Sequence, residues 1–357
     1  MEWIHEIPAL KPFVKHGKFD FSTAEANCAF TEASLAREHN LTVELDTSRL
    51  CPRVPIRKAY VEWIHELLPS ECDVTGLDIG TGTSCIYPLL ASKMYGWRML
   101  GSDIDEEAIE KAQKNADRNP DLADLIKLRL VSPDADFFDY PGTDITFTMC
   151  NPPFYASFEE METSLAKKSS RPAGELQAAQ TELITKDGEL GFLQRMIRNS
   201  KKHKDAIMWF TSMVGKKETM EKVVEQLKEE SIYHAVVSRR PGKTKRWFVA
   251  WTFSSSAKHE SISGNYDLEA VEKLLINNDI PCKKIENGVV ALPKGDVWSR
   301  KYKRAKLRKE NVEYTDQYEF WFSPKTLVWR QGQDKTVWDS FGSWISRNLK
   351  QSAESST

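Results

Sequence analysis

The chain has no C-x-x-C pair among its six cysteines (Cys28, Cys51, Cys72, Cys85, Cys150 and Cys282). Their scatter, with several inside apolar runs, argues against a disulfide framework or a zinc site and for reduced core thiols of an intracellular protein. Net charge is also scarce. Lys and Arg total 50 against 52 Asp and Glu, a formal balance of −2. No global field therefore attracts nucleic acid, and any basic surface must be local. No apolar segment approaches the roughly 20 residues that cross a bilayer, so no membrane partner is expected. Met1 to Lys11 carry charges and a proline in place of an apolar stretch, and no secretory signal is expected there.

What is present suits two domains: 357 residues, 40% of them hydrophobic. The most informative stretch is Ile145-Thr146-Phe147-Thr148-Met149-Cys150, which reads as a buried strand. It runs into Asn151-Pro152-Pro153-Phe154-Tyr155. Neither proline donates to a sheet ladder, and each biases its predecessor to extended backbone. The result is a stiff loop at a strand's carboxyl end, with one amide and two aromatics. An amide accepts from an exocyclic amine, and an aromatic face stacks on a flat base.

Upstream, Val74 to Ile79 reads as a strand entering a glycine turn, Gly80-Thr81-Gly82-Thr83-Ser84, and then an apolar helix. Small residues there let a ligand approach the backbone at the helix N-terminus. The next strand, Trp97 to Ser102, ends at Asp103, where such sheets grip a ribose diol. Together these features indicate a nucleoside-containing cofactor. A third glycine in register is missing, which disfavours a dinucleotide. A helix from Asp105 to about Asn119 follows, then a strand from Ile126 to Val131. The loop Ser132 to Asp136, with Asp134, lies where an adenine edge is expected. Strands alternating with helices mean an α/β, doubly wound parallel sheet with ligands at the carboxyl ends.

The remaining elements are read as follows. Residues 1–50 form an N-terminal extension, with a helix starting at Ser22-Thr23 and a strand at Thr42 to Leu45. Pro52 to Arg57 is irregular, ahead of a helix to Leu68. Beyond Tyr155, a polar segment contains Lys167, Lys168 and Arg171. Lys216 and Lys217 follow a strand ending at Val214. Two last strands flank a basic turn with Lys243 and Arg246. The domain spans 51–254, a linker 255–263, a small α+β domain 264–350 and a tail 351–357. Trp298 to Leu307 is read as one strand of the small domain. Its cations, Arg300, Lys301, Lys303 and Arg304, suit RNA phosphates, a nuclear-localisation patch, or a charged edge strand.

The order Asp78-x-Gly80-x-Gly82, then Asp103, then Asn-Pro-Pro-Phe resembles S-adenosylmethionine-dependent adenine-N6 methyltransferases. Pro55-Ile56-Arg57, the block from Asp78 to Leu89, Met149 to Tyr155, Gly215-Lys216-Lys217 and Gly242 to Trp247 are similar to the methyltransferase-like-sixteen family. The similarity covers about residues 5–255. The family's usual Phe-Phe is Phe154-Tyr155 here. The resemblance implies a Rossmann-like class I methyltransferase sheet and methylation of an adenosine in U6 small nuclear RNA. Bacterial relatives of that family act on large-subunit ribosomal RNA. It further implies Asn151, Pro152, Pro153, Phe154 and Tyr155 as the catalytic loop. Arg57, Asp78, Gly80, Thr81, Gly82, Ser84, Asp103 and Asp134 would serve S-adenosylmethionine, with no metal. The partner would be structured RNA and not DNA, in the nucleus with a cytoplasmic share left open. Two other readings remain: a protein glutamine-N5 methyltransferase, which uses Asn-Pro-Pro-Tyr, and a non-catalytic RNA-binding protein.

Overall fold

The structure is a computed structural model that describes residues 2–68, 73–140, 142–166, 183–185, 187–240, 245–254, 261–285, 288–308, 318–331 and 335–354. The chain divides into two compact units. Residues up to Phe253 make almost all of the first, and those from Ser254 almost all of the second.

In the first unit, α1 (Ala24–His39) is followed by α2 (Val54–Leu67), β1 (Thr75–Ile79), α3 (Ile86–Tyr95), β2 (Arg98–Asp103), α4 (Glu106–Asp117), β3 (Ile126–Leu130) and β4 (Phe147–Cys150). Then come α5 (Phe158–Ala166), α6 (Gly188–Ser200), β5 (Trp209–Val214), α7 (Lys217–Glu229), β6 (Tyr233–Arg239) and β7 (Arg246–Thr252). The sheet order is β3-β2-β1-β4-β5-β7-β6. The first five strands are parallel, and β7 pairs antiparallel with both β5 and β6. The parallel, doubly wound strands are what the alternation of elements predicts, and the full order is the class I methyltransferase sheet that the resemblance implies. β1, β4 and β5 are buried at every position, as central strands covered on both faces must be. A Cβ at Gly76 would lie 2.4 Å from Phe147 Cζ, so the glycine lets β1 and β4 pack at this distance.

The N-terminal residues belong to the first unit, with Ile4, Leu10 and Leu35 buried. Thr23 caps α1 by accepting from the Ala26 amide, at the start the sequence suggests. Two local expectations fail here. Thr42 to Leu45 is extended but joins no strand. Instead Asn119 accepts from Thr42 N–H at 2.9 Å and donates to its carbonyl at 2.8 Å. Asn115 does the same for Glu44, at 2.8 and 3.1 Å. Two asparagine amides thus replace a neighbouring backbone, which strand propensity alone does not foretell. In addition, Val54 to Arg57 is the first turn of α2 and not a loop, since proline is tolerated in a first turn.

The second unit holds β8 (Ser261–Ser263), α8 (Leu268–Ile276), β9 (Cys282–Ile285), β10 (Gly288–Ala291), α9 (Arg300–Leu307), β11 (Glu319–Phe322), β12 (Thr326–Gln331) and α10 (Lys335–Glu354). Its antiparallel sheet runs β8-β12-β11-β10-β9. The core is aromatic, with Trp298, Phe320, Phe322 and Phe341 buried together. Ser261–Ser263, expected in a linker, is a strand paired with β12. The expected strand at Trp298 to Leu307 is the helix α9. Ser299 caps it by accepting from Tyr302 N–H, and its lysines, arginines and Ala305 are good helix formers.

Asn119→Ala removes both bonds to Thr42 and leaves a part-buried amide unmet. It should cost about 1–3 kcal/mol in denaturant unfolding of the full chain. An unchanged midpoint would show that water replaces the asparagine.

Candidate active site

The carboxyl ends of β1, β2, β3 and β4 open onto a cavity of ≈ 420 Å³. Its floor is the turn after β1. Gly80 and Gly82 adopt φ of 73° and 62°, a region that L side chains rarely occupy. The Gly80 and Thr81 amides donate to the Ser102 carbonyl at 2.9 and 3.0 Å, which folds the turn onto β2. Gly82 N–H then donates to Asp103 Oδ2 at 2.9 Å, and Asp105 N–H to Asp103 Oδ1 at 3.1 Å. Burial raises the Asp103 carboxyl above its usual range, and the backbone amides partly offset this. Arg57, Gly80, Thr81, Gly82, Ser84, Asp103 and Asp134 all line the cavity, as predicted for the cofactor side.

Asp78 does not line the cavity; it is fully buried within β1. Burial, with the charge of Asp103 nearby, pushes its carboxyl up to about 7. Thr81 moderates that rise but makes no bond of ordinary geometry, and neither carboxylate oxygen has a partner. Arg57 is also buried. One Nη1 donates to Tyr87 Oη at 2.9 Å and approaches Met213 Sδ at 3.3 Å, while Nε has no partner. Arg57 forms no ion pair among the described residues. An unpaired buried guanidinium costs several kcal/mol, more than two weak contacts return. The cavity therefore suits a ligand with a carboxylate at Arg57 and a diol at Asp103.

At the end of β4, Asn151 and Pro153 line the cavity. Asn151 Oδ1 is buried and has no partner among the described residues, which leaves it able to accept from a bound donor. Pro152 is buried, and the Phe154 ring is half-buried with the Arg246 guanidinium 5.6 Å from its centroid. Tyr155, grouped with the catalytic loop on sequence grounds, is packed against Met161 and Leu183 instead. The Leu183 carbonyl accepts from both the Phe154 and the Tyr155 amides, at 3.1 and 2.9 Å, and the two side chains differ in burial: Tyr155 is buried, whereas Phe154 is half-buried.

The basic residues are not equivalent. Lys216 Nζ is drawn inward to Glu160 Oε1 at 2.6 Å and lies 5.5 Å from the Tyr155 centroid, so it is not a free cation. Lys217 pairs with Glu221 on its own helix. Arg300, Lys301, Lys303 and Arg304 are exposed on α9, with Lys303 donating to Asn278 Oδ1. Lys167, Lys168, Arg171 and Lys243 lie outside the described residues.

Two cavity residues escaped the sequence reading. Arg49 bonds Asp105 at 2.6 Å and Glu107 at 2.5 Å, bolting its loop to the start of α4. Arg195 of α6 stacks 4.1 Å from the Phe137 centroid and donates to the Pro133 carbonyl at 3.4 Å, bracing the Asp134 loop. Neither has a local signal, because the partners are 56 and 62 residues away. Among the described residues, no His, Cys, Asp and Glu group suits a metal ion, and no helix is long and apolar enough to cross a membrane.

Sheet order, glycine turn and the Asn-Pro-Pro loop define a class I methyltransferase. A family model described as RNA methyltransferase matches residues 2–255, and the chain belongs to that family. The U6 small nuclear RNA (adenine-(43)-N(6))-methyltransferase of Schizosaccharomyces pombe is 33% identical over 94% of this chain and 96% of that protein. The crystal structure of the hMettl16 catalytic domain in complex with a MAT2A 3'UTR hairpin 1 has a TM-score of 0.65 and 31% identity. It covers 71% of this chain and 91% of that one. The N-terminal domain of human METTL16 in complex with SAH has a TM-score of 0.59 and 29% identity, covering 71% and 94%.

Asp78 gives a pH test. Its folded pKa lies above the unfolded one, so the native state holds the extra proton between about pH 4 and 7, and stability falls as pH rises through that window. Asp78→Asn should therefore gain thermal stability relative to the parent chain from pH 4 to 7. Parallel melting curves across the range would refute the assignment.

Proposed function

We propose that this chain transfers a methyl group from S-adenosylmethionine to N6 of an adenosine in a structured RNA, and that this RNA is U6 small nuclear RNA. The observation that carries the reading is the buried, unpartnered Asn151 Oδ1 at the rim of a cavity whose floor suits an amino-acid nucleoside. Family membership and the fission-yeast relative's stated activity support the choice of acceptor.

S-adenosylmethionine, when bound, supplies an electrophilic methyl on a sulfonium. Arg57 holds its carboxylate, Asp103 its ribose hydroxyls, and Asp134 with its loop the adenine edge. The glycine turn keeps side chains out of the way. Asn151 Oδ1 and the Pro152 carbonyl accept the two N6–H bonds of an adenine turned out of its stack. Phe154 supplies the aromatic wall. Holding both N–H groups turns the nitrogen lone pair out of conjugation and towards the methyl. Catalysis is then mainly positioning. N6 would attack the methyl carbon as its bond to sulfur breaks, leaving S-adenosylhomocysteine, and the methylated nitrogen would then lose one proton to water, so no strong base is needed.

Arg246, Lys217 and the exposed face of α9 are read as phosphate contacts. Lys167, Lys168, Arg171 and Lys243 keep that expectation from sequence alone. A U6 substrate implies a nuclear location, and cell fractionation would show any cytoplasmic share.

Asn151→Ala should lower methyl transfer about 10²–10³-fold while leaving affinity for S-adenosylhomocysteine nearly intact. Arg57→Ala should instead weaken that affinity roughly tenfold or more. The assay is radiolabelled methyl transfer to RNA, DNA and protein fractions. Label confined to protein, or an active Asn151→Ala, sinks the reading.

A further inference from the structure

Phe154 does not hold its position alone. A Cβ at Gly215 would lie 2.9 Å from Phe154 Cδ1 and 3.0 Å from Glu189 Oε1. The Gly215 turn thus lies against both the Phe154 ring and the Glu189 carboxylate. Glu189 is 1% exposed, in the first turn of α6. Its Oε1 accepts from Gly215 N–H at 2.5 Å and its Oε2 from Lys216 N–H at 3.2 Å. Thr219 adds a hydroxyl. This buried glutamate forms no ion pair among the described residues; its partners are the two amides of the turn that follows β5 and the Thr219 hydroxyl in the first turn of α7.

Glu189 is itself tied to the other side of the same loop. Asp187 and Gly188 have φ of 65° and 63°, which starts α6 abruptly. A Cβ at Gly188 would meet the Ala156 amide at 3.2 Å. Gly188 N–H donates to the Thr185 carbonyl, and Thr185 N–H to the Tyr155 carbonyl at 3.0 Å. Lys216 closes the ring by pairing with Glu160, whose other oxygen accepts from Ala156 N–H at 2.7 Å.

We propose that Glu189 is a positioning residue for the acceptor base: by gripping the Gly215 and Lys216 amides it presses their turn against Phe154 and fixes the aromatic wall beside Asn151. This rests on the reading of Asn151 and Phe154 as the acceptor site. The established fold does not require it, since a helix could start there without a buried acid. A carboxylate presents an acceptor to each of two amides. A glutamine of the same size presents one acceptor and one donor, so one amide meets an N–H and the turn is released. Small displacements of a reacting group are costly in rate.

The test uses the full chain and a U6-derived stem-loop transcript. Glu189→Gln should lower kcat at least tenfold, with S-adenosylhomocysteine affinity within twofold of the parent. Gly215→Ala, which crowds the same ring, should show the same split. In a Phe154→Ala background, Glu189→Gln should cost less than twofold, because its effect runs through the ring. Equal losses in both backgrounds, or affinity that falls in step with kcat, would overturn the proposal and mark Glu189 as a general fold element. Hydrogen exchange over residues 213–219 needs no RNA and separates the two readings. Unchanged exchange in Glu189→Gln overturns the grip itself. Faster exchange, beside a parent chain that labels no RNA, overturns the acceptor reading and the role given to Glu189 with it.

Discussion

The Asp103 carboxylate is the constraint on which the site depends. One oxygen takes the Gly82 amide and the other the Asp105 amide, so a single side chain fixes the turn after β1 and the cap of α4. Asp105 in turn caps α4 through the Glu107 and Ala108 amides and anchors Arg49. The N-terminal loop, the glycine turn and α4 therefore share one electrostatic knot. The Gly80 and Thr81 amides bond the Ser102 carbonyl and the Gly82 amide bonds this carboxylate, so the left-handed turn keeps its shape at the cavity floor. Each oxygen still has a lone pair, which is what a ribose diol needs.

Beneath that knot the fold carries charge that it does not neutralise. Arg57 and Asp78 are both buried, and the guanidinium is a Coulombic influence on the carboxyl without pairing to it. A purely structural core replaces such groups with apolar ones at no loss. Of the two, Arg57 lines the same cavity as the Asn151 amide oxygen, so a ligand carboxylate there would supply the charge that the guanidinium lacks among the described residues. Desolvation here also strengthens every contact that a bound ligand makes.

Much of this was legible in the sequence where the physics is local. A turn that needs two left-handed residues is written as Gly80-x-Gly82, and a stiff loop as Asn151-Pro152-Pro153. The parallel sheet follows from alternating apolar runs, and its antiparallel close from two strands around a basic turn. Illegible features were those whose cause lies elsewhere in the chain. Glu189 looks like an ordinary first-turn acid until Gly215, 26 residues on, is brought to it. Tyr155 looks like a second stacking ring until Met161 and Leu183 are brought against it. Thr42 to Leu45 resembles a strand because it is extended, yet its partners are side chains. α9 stands where a strand was expected, because Ser299 caps a run of straight-chain cations that favours a helix.

The two units pose different electrostatic problems. The family model ends at residue 255, whereas the fission-yeast relative matches 94% of this chain, so that relative shares sequence beyond the methyltransferase sheet. With a net charge of −2, attraction for a polyanion has to be local. α9 meets that condition in the second unit. Only Ala305 is buried on it and Tyr302 half-buried, so the helix adds little to the core and mainly displays cations. Lys303 and Lys306 reach back to Asn278 and Asp279, which holds the helix against the end of α8. Arg300, Lys301 and Arg304 stay in solvent, where they contribute little to stability and retain their charge for a ligand. In the first unit the reverse holds: Lys216 is spent on Glu160 in support of the loop, and the half-buried Arg246 lies near Phe154. Lys216 thus supports the acceptor loop, whereas the exposed cations of α9 contribute little to any core.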